Sequence, residues 1–331
     1  MKYILSSILA LTMGVTASVA QIPGMMSMPS AQPLEGTTLG ANETISYDGI
    51  ALGNRVKLRG YVDFIYGYTD NGPVDSASFS TAGDIDFLVD FSPVTGEVHL
   101  AYASGASQPV TLEQAFGRYS FNQDFNLSFG RQLTNLGFEA DEAPGLYAVT
   151  NAYTGLGGTS RRNYVDGLRA NFNNGQFGLS FGVHDDYFGY NDHFNDNIAI
   201  DLAASVMIVP GLEARLGYAH QDMDPDDVSQ FNAWIAYNPG DLTLALEFDA
   251  FDVMDNDIWD LMLLANYQFV DWFGATLRYS HEDHDNDEAD RITLALLFTL
   301  TDNLFLNFEY SHTEFDSSDL DEVYLEGLFT F

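Results

Sequence analysis

Apolar and polar residues alternate along most of the chain from residue 55 to the end. In Val56–Thr69, Leu58 and Phe64 fall on one face, whereas Arg59 and Asp63 fall on the other. The same alternation recurs in Asp84–Phe91, Gln176–His184, Ile198–Val209, Leu212–His220, Leu242–Phe251, Phe273–Ser280, Arg291–Leu300, Leu304–Ser311 and Val323–Phe331. A period of two residues indicates β-strands. A single such segment is weak evidence, but a series with bulky apolar residues on one face and small or polar residues on the other indicates a lipid-facing wall around a polar lumen.

Short turns and longer polar loops alternate between these strands. Short turns are predicted at Ser92–Gly96, Asn122–Asp124, Asn173–Gly175, Pro210–Gly211, Asn238–Asp241, Val270–Trp272 and Thr301–Asn303. Longer loops are predicted at Asp70–Ala82, Ser104–Pro109, Gln132–Ser160, Asp185–Asn197, Gln221–Asp227, Asp252–Asp257, His281–Ala289 and His312–Leu320. Outer-membrane barrels have short periplasmic turns and longer outer loops. The sequence therefore predicts an all-β fold, a transmembrane antiparallel β-barrel of about 16 strands with both termini periplasmic.

Two segments leave the strand count open. The faces of Val110–Tyr119 are ambiguous, and Gln132–Ser160 is long enough to hide another hairpin. The expected count is therefore roughly 14 to 18 strands. An aromatic residue recurs every 30 or 31 residues where a strand meets an acidic loop, at Tyr218, Phe248, Tyr279 and Tyr310. This repeat supports the hairpins and predicts an aromatic girdle at the membrane interface.

The first 20 residues have the features of a secretory signal. Lys2 supplies a positive charge, Ile4–Val15 an apolar stretch and Ser18–Ala20 a cleavage site of small residues. Beyond this signal no apolar run reaches the roughly 20 residues that a membrane-spanning helix needs. An exported chain without such helices can span a bilayer only as a closed barrel, because every backbone group must be paired internally. The expected domains are a signal peptide at 1–20, a leader at 21–54 and the barrel at 55–331.

The expected leader differs in composition from the barrel. Residues 21–54 carry Pro, Gly, Met and Ser and show no strand periodicity. We expect a flexible periplasmic segment here, and the alternative is a small plug or a tether to a partner.

The last strand ends the chain on an aromatic residue. Phe329 and Phe331 lie on the apolar face of Val323–Phe331. A terminal aromatic on an alternating strand resembles the assembly signal that the outer-membrane insertion machinery recognises. Porin ends of this kind often carry glycine five residues before the final Phe, whereas here Glu326 holds that position and Gly327 follows it. The sequence thus predicts Phe331 and Phe329 as an assembly signal and the insertion machinery as a partner.

Two segments resemble a known protein family. The sequences "LEQAF" at Leu112–Phe116 and "FGRQLTNLGFEADEAPGLY" at Phe129–Tyr147 resemble the beta-barrel porin type 2 family of Gram-negative bacteria. The strongest similarity runs from Leu112 to Phe188, and the general layout fits residues 55–331. The resemblance implies an outer-membrane barrel that passes small solutes. It implies no established catalytic residues and no defined substrate.

The chain is strongly acidic, with 12 Lys and Arg against 48 Asp and Glu, a formal net charge of −36. Nucleic-acid binding needs a basic footprint, so this charge argues against it. Acidic residues alternate in His281–Asp290, as at the start of a calcium loop. Glu288 and Leu294 stand where an EF-hand needs glycine and glutamate, which argues against that site. Solvated acidic loops are the leading interpretation, and diffuse Ca²⁺ or Mg²⁺ association with lipopolysaccharide phosphates is a second.

Most of the candidate functional residues are expected to face the lumen. The arginines expected to line it are Arg59, Arg118, Arg169, Arg215 and Arg278. The acids expected to face them, in the third long loop, are Glu139, Asp141 and Glu142. By analogy with porins whose third outer loop folds inward, these residues predict a constriction with a transverse field that favours polar permeants. Two alternatives remain: the arginines brace the wall by pairing with lumen carboxylates such as Asp63 and Glu247, and the loop sits on top as a lid.

Enzymatic and metal chemistry are not expected. Ser280–His281 and Ser311–His312 are adjacent pairs on strands, so their side chains point to opposite faces. Neither pair can easily form a nucleophile–base contact. His220, His281 and His312 lie on hairpins spread around the rim, so we expect no metal site. No cofactor is expected either.

The predicted function is an outer-membrane porin for passive diffusion of small hydrophilic solutes. The acidic excess suggests a preference for cations, although the lumen arginines oppose it. The alternatives are a non-conducting structural or adhesive barrel and, less favoured, an outer-membrane hydrolase. The expected surroundings are outer-membrane lipid and lipopolysaccharide. Porins often form trimers, which makes a homotrimer one expected assembly.

Overall fold

A computed structural model describes residues 36–46, 49–72, 74–140, 142–154, 156, 164–189, 198–223, 226–253, 256–284 and 287–331. The predicted signal peptide and the first part of the predicted leader lie outside these residues. Among the described residues, no helix has the length and apolar character needed to cross a membrane. A short helix, α1 (Glu43–Ser46), precedes a large sheet, and a two-residue strand, β1 (Ile50–Ala51), pairs with the strand that follows it.

Sixteen further strands form this sheet. They are β2 (Val56–Asp70), β3 (Asp75–Phe91), β4 (Val94–Ala103), β5 (Val110–Ser120), β6 (Phe125–Leu133), β7 (Tyr164–Asn173), β8 (Phe177–His184), β9 (Ala199–Val209), β10 (Leu212–Gln221), β11 (Val228–Tyr237), β12 (Leu242–Val253), β13 (Asn256–Val270), β14 (Phe273–His284), β15 (Asp287–Thr301), β16 (Leu304–Phe315) and β17 (Asp319–Thr330). Val110–Tyr119, whose faces the pattern left ambiguous, is a strand.

The sheet closes on itself. Each strand from β2 to β17 pairs antiparallel with its neighbours in sequence, and β17 pairs with β2. The closing register places Gly327 opposite Phe64 and Phe329 opposite Val62. Phe331 extends this seam through two backbone hydrogen bonds with Gly60, of 2.8 and 2.9 Å. The predicted antiparallel barrel is confirmed, and its strand number is 16.

The two faces of the wall follow the predicted alternation. Arg278 is fully buried inside, whereas the next residue toward the N-terminus, Leu277, is 56% exposed on the outside. Large apolar side chains such as Leu216 and Leu294 are likewise exposed on the outer face. In water such a surface would be costly, but in a bilayer it faces hydrocarbon. The outer face therefore has the character of a lipid-facing wall.

The connections match the prediction at one end of the barrel and differ at the other. Strand pairs at the predicted short turns are joined by two to four residues, as between Val209 and Leu212. Several predicted outer loops are instead continuations of the strands. Within Asp70–Ala82, β2 runs to Asp70 and β3 resumes at Asp75, so most of that loop is hairpin. The acidic composition suggested loops, but a strand beyond the bilayer keeps its backbone hydrogen bonds whatever the polarity of its side chains.

The recurring aromatic residues lie on the outer face near these hairpins. Tyr310 is 40% exposed, and its hydroxyl donates to Asp321 at 2.6 Å. The hydroxyl of Tyr279 donates to Asp290 at 2.7 Å. An apolar ring with a hydrogen-bonded hydroxyl at its tip suits the boundary between lipid and water.

Candidate functional site

The third long loop lies inside the barrel. Its described residues, 134–140, 142–154 and 156, contain one short 3₁₀ turn, Ala143–Gly145, and no strand. Phe138 packs edge-on against Trp234 of β11, with 5.4 Å between ring centroids. Phe138 and Tyr147 join a buried cluster with inward-facing residues of β9 and β11 to β13. The loop is therefore seated against the inner wall rather than placed above the barrel.

The inner wall under this loop is apolar. Met262 and Leu264 of β13 and Leu297 of β15 point inward and are almost fully buried. These apolar side chains interrupt the polar lumen that the alternation predicts. The wall can be apolar at this place because the loop, and not water, covers it.

Arg278 attaches the loop to β14. Its Nη1 atom donates to both carboxylate oxygens of Glu139, at 3.0 and 3.1 Å, and to the carbonyl of Thr150 at 2.7 Å. Its Nη2 atom donates to the carbonyl of Asn151 at 3.0 Å. The amide of Ala152 completes the pair by donating to Glu139 at 2.6 Å. One wall arginine thus holds two separate stretches of the loop.

A second attachment lies on β15 and β16. Thr150 donates its amide and hydroxyl to Glu309, at 2.9 and 2.6 Å. Arg291 donates to the carbonyl of Thr154 at 2.5 Å and pairs with Glu322 of β17 at 2.7 Å. Neither Arg291 nor Glu309 is among the site residues predicted from the sequence. The alternation of faces along β15 and β16 places both side chains inside, and this pattern could have identified them.

The loop reaches another part of the wall at Glu142. Its Oε1 atom lies 3.5 Å from Nδ1 of His99 on β4. His99 also lies next to Asp86 of β3, which pairs with Arg59 of β2. The loop therefore contacts β3 and β4 at Glu142 and, through the Phe138 cluster, β11 to β13, which lie about half-way round the ring of strands. A segment attached at both sides crosses the lumen.

Burial and charge act differently on the two loop acids. Burial raises the pKa of Glu139, and the pair with Arg278 offsets only part of that rise. Burial also acts to raise the pKa of Glu142, but the proximity of His99 and Arg59 holds that pKa below its ordinary value. Glu142 therefore carries its negative charge over the wider pH range.

Residues 36–46 occupy the barrel end that carries the short turns. The amide of Thr37 donates to the carbonyl of Gly175 in the β7–β8 turn at 2.8 Å, and its hydroxyl donates to Glu213 at 2.6 Å. Leu39 is buried within the inner wall near β7 to β10. Thr44 bonds to Glu97 of β4. This part of the predicted leader is anchored inside the barrel, which is the arrangement that the plug interpretation requires.

All five predicted lumen arginines point inward, but they do not form one ladder. Arg118 donates to Asn42 at 2.6 Å, and Arg215 donates to Thr38 at 2.7 Å, so both contact the N-terminal segment. Arg169 donates to the carbonyl of Leu133. The remaining two, Arg59 and Arg278, lie near acids of the third loop, at the β2–β3 and β14 walls respectively. Asp141 lies outside the described residues.

The two Ser–His pairs are engaged separately. Ser311 faces the lumen and donates to Glu309 at 2.8 Å, whereas Nδ1 of His312 lies 2.9 Å from Asp321. Ser280 and His281 are adjacent on β14 and are fully buried.

Solved structures of outer-membrane porins share this fold. OmpF of Salmonella typhi, solved with daunomycin, matches with a TM-score of 0.65 at 13% identity over 84% of this chain and 98% of that one. OprB of Pseudomonas putida at high pH matches with a TM-score of 0.64 at 14% identity, over 84% and 94%. An anion-selective porin from Comamonas acidovorans matches with a TM-score of 0.61 at 14% identity, over 83% and 99%.

No protein-family model and no curated protein sequence matches the chain. At these identities the structural likeness establishes the fold alone. The chain therefore has the closed 16-stranded barrel of the outer-membrane porins, with its third long loop and an N-terminal segment inside the lumen.

Proposed function

We propose that this protein is an outer-membrane porin through which small hydrophilic solutes diffuse passively. The observation that carries the proposal is the third loop, which crosses the lumen of a closed barrel between the β3–β4 wall at Glu142 and the β11–β13 wall at Phe138, and which Arg278 also ties to β14 through Glu139. In this proposal, the loop narrows the lumen to a passage lined by charged groups. Solutes would move down their gradients and be selected by the width of that passage and by its field.

Charge distribution supports a preference for cations. Glu142 keeps its charge, and the chain as a whole carries a formal net charge of −36. Arg118 and Arg215 oppose this preference, but both contact the N-terminal segment rather than the loop acids. The proposal is therefore a weakly cation-preferring channel.

One observation favours the alternative of a non-conducting barrel. The third loop and residues 36–46 both occupy the interior, and the lumen-facing residues Arg278, Arg291 and Glu213 are fully buried. A barrel filled to this degree could serve as a structural or adhesive element instead.

Uptake of solutes into liposomes separates the two functions. Liposomes containing the folded barrel should swell in iso-osmotic solutions of small sugars, at rates that fall as the sugar becomes larger. Swelling no faster than in protein-free liposomes, with the barrel shown to be folded by its heat-modifiable migration, would favour the non-conducting alternative.

The remaining assignments belong to the same proposal. The resemblance of Leu112–Phe188 supports membership of the beta-barrel porin type 2 family, and the exposed apolar outer face supports contact with outer-membrane lipid and lipopolysaccharide. The insertion machinery and a homotrimeric assembly are further proposals. We propose no catalytic activity, which is supported by the separate partners of Ser311 and His312.

A further inference from the structure

Four potential metal ligands meet where the third loop touches the wall. They are Asp84 and Asp86 of β3, His99 of β4 and Glu142 of the loop. One donor atom from each residue lies within 4.8 Å of the donors of the other three. All but Glu142 are almost fully buried. No metal site is predicted from the sequence, and this cluster lies away from the rim histidines His220, His281 and His312.

The strand register brings these residues together. Asp86 lies directly opposite His99 in the β3–β4 pairing, and Asp84 lies two residues away on the same inward face. A bulge in the β4–β5 pairing follows His99. Bulges change the direction of side chains and are common next to functional sites. Glu142 then approaches this face from within the lumen.

The distances suit ligands of one ion. Nδ1 of His99 lies 3.2 Å from Oδ1 of Asp86 and 3.5 Å from Oε1 of Glu142. Nitrogen and oxygen ligands of a tetrahedral zinc ion lie about 2.1 Å from the metal and therefore about 3.4 Å from each other. The His99 donor is thus already spaced from those of Asp86 and Glu142 as ligands are around an ion, and the Asp84 donor lies within 4.8 Å of all three.

His99 is held as metal-binding histidines are. Its other ring nitrogen, Nε2, lies 3.0 Å from Oε2 of Glu97. A histidine ligand usually donates its second N–H to a carboxylate, which orients the ring and directs the remaining nitrogen toward the metal. Nε2 of Gln114 lies 3.1 Å from Nδ1 of His99, and a bound ion would take the place of this amide.

An independent observation at Asp84 also favours cation binding. Oδ1 of Asp84 accepts the amide of Ile85 at 2.6 Å, but Oδ2 is buried without a hydrogen-bond partner among the described residues. Asp84 itself is fully buried. A buried carboxylate oxygen without a partner is costly, and a metal ion would satisfy it.

The charges around the cluster do not balance. The carboxylates of Asp84, Asp86, Glu97 and Glu142 face two guanidinium groups, those of Arg59 and Arg118. Because a metal ion binds the neutral imidazole, these groups would leave two negative charges for a bound ion to neutralise. A divalent cation would neutralise the two excess negative charges of these four carboxylates.

We propose that Asp84, Asp86, His99 and Glu142 bind a divalent transition-metal ion of the zinc type, which ties the third loop to the β3–β4 wall. One imidazole with carboxylates favours such an ion over Ca²⁺ or Mg²⁺, whose ligands are oxygens. The proposal does not depend on conduction, since the site would tie the loop in an open or a closed barrel.

Zinc titration of the folded full-length barrel tests the site. After chelator treatment, the protein in detergent should bind one Zn²⁺ per chain, and Co²⁺ in its place should give the visible absorption of a tetrahedral site. His99→Ala should abolish this binding, and His312→Ala is the matched control at the rim. Glu142→Gln alters only the loop and leaves the wall intact, so its loss of binding would not reflect misfolding.

Glu97→Gln tests the orientation of His99, and it should weaken zinc binding by about 10- to 100-fold. Wild-type protein that binds no Zn²⁺, or that binds Ca²⁺ in preference to it, would overturn the proposal. Unchanged binding in both His99→Ala and Glu142→Gln would do the same, because the ion would then lie elsewhere.

Discussion

Arg278 has the densest set of contacts between the wall and the third loop. It is fully buried, and it bonds to Glu139 and to the carbonyls of Thr150 and Asn151. Removing one partner of a buried pair leaves the other charge without compensation. The attachment of the loop therefore depends on this residue more than on any exposed ion pair.

Replacing Arg278 by alanine should release the loop. We expect the substitution to cost about 3–5 kcal/mol in the free energy of unfolding, because Glu139 would remain buried without its partner. Arg131→Ala is the control, since its pair with Asp166 is partly exposed and should contribute about 1 kcal/mol or less. Denaturant unfolding in lipid vesicles measures both. Equal effects of the two substitutions would contradict the role given to Arg278.

The loop acids should influence ion selectivity. Replacing Glu139, Asp141 and Glu142 by their amides should shift the reversal potential in a KCl gradient toward anions, because negative charge leaves the passage. The control carries amides at Glu314, Asp316 and Asp319, which are exposed at the β16–β17 hairpin. The same potential in wild type and loop variant would place these acids outside the conduction path.

The candidate site could be predicted only in part from the sequence. The alternation of residues along each strand places Arg59 and Arg278 on the inner face, because successive side chains of a strand point to opposite faces. It could not bring His99 next to Asp86, since that contact depends on the register between two strands. Nor could it bring Glu142 to His99, because the path of a loop through the lumen depends on tertiary contacts.

At the scale of elements, the N-terminal segment occupies part of the lumen. Residues 36–46 bond to β4, β5 and β10 at the end with the short turns. A segment in that position narrows the exit from the barrel.

Deleting residues 21–46 should therefore raise the single-channel conductance. The wall retains its full set of strands in this variant, since β2 begins at Val56. A deletion of residues 21–35 alone, which keeps the anchored part, is the control. Conductance equal to that of wild type in the longer deletion would show that the segment lies beside the conduction path.

The C-terminal residue closes the seam between the first and last strands of the barrel. Phe331 exchanges two backbone hydrogen bonds with Gly60, next to the β17–β2 pairing. Its deletion should lower the yield of heat-modifiable, folded barrel in the membrane, because both the closing bonds and the predicted assembly signal are lost. Phe331→Tyr keeps both and should assemble like wild type. A normal yield after deletion would show that the terminal aromatic is dispensable.

The elements themselves follow from the sequence more fully than their connections do. The alternation of apolar and polar residues is sufficient to predict strands such as Leu304–Ser311, and the residues Pro and Gly predict the turn at Pro210–Gly211. The extent of the hairpin within Asp70–Ala82 was not predictable from polarity, because acidic residues suit both a loop and a strand that extends into water. What decides between them is pairing with a neighbouring strand.

At the scale of the whole molecule, the barrel has an apolar exterior and an interior occupied by its own chain. The exterior is explained by lipid, since large side chains such as Leu277 and Leu294 are exposed around the wall. The interior is divided between the third loop and the N-terminal segment, each attached to the wall by charged and polar groups. Whether solutes pass between them is the question on which the proposed function depends.

Single-channel recording in planar bilayers tests that question most directly. The full barrel, added to a bilayer in symmetric KCl, should produce stable steps of open-channel current, and a KCl gradient should give a reversal potential of the sign expected for cation preference. A correctly folded, heat-modifiable barrel that inserts and remains electrically silent would contradict the assignment of this protein as a porin.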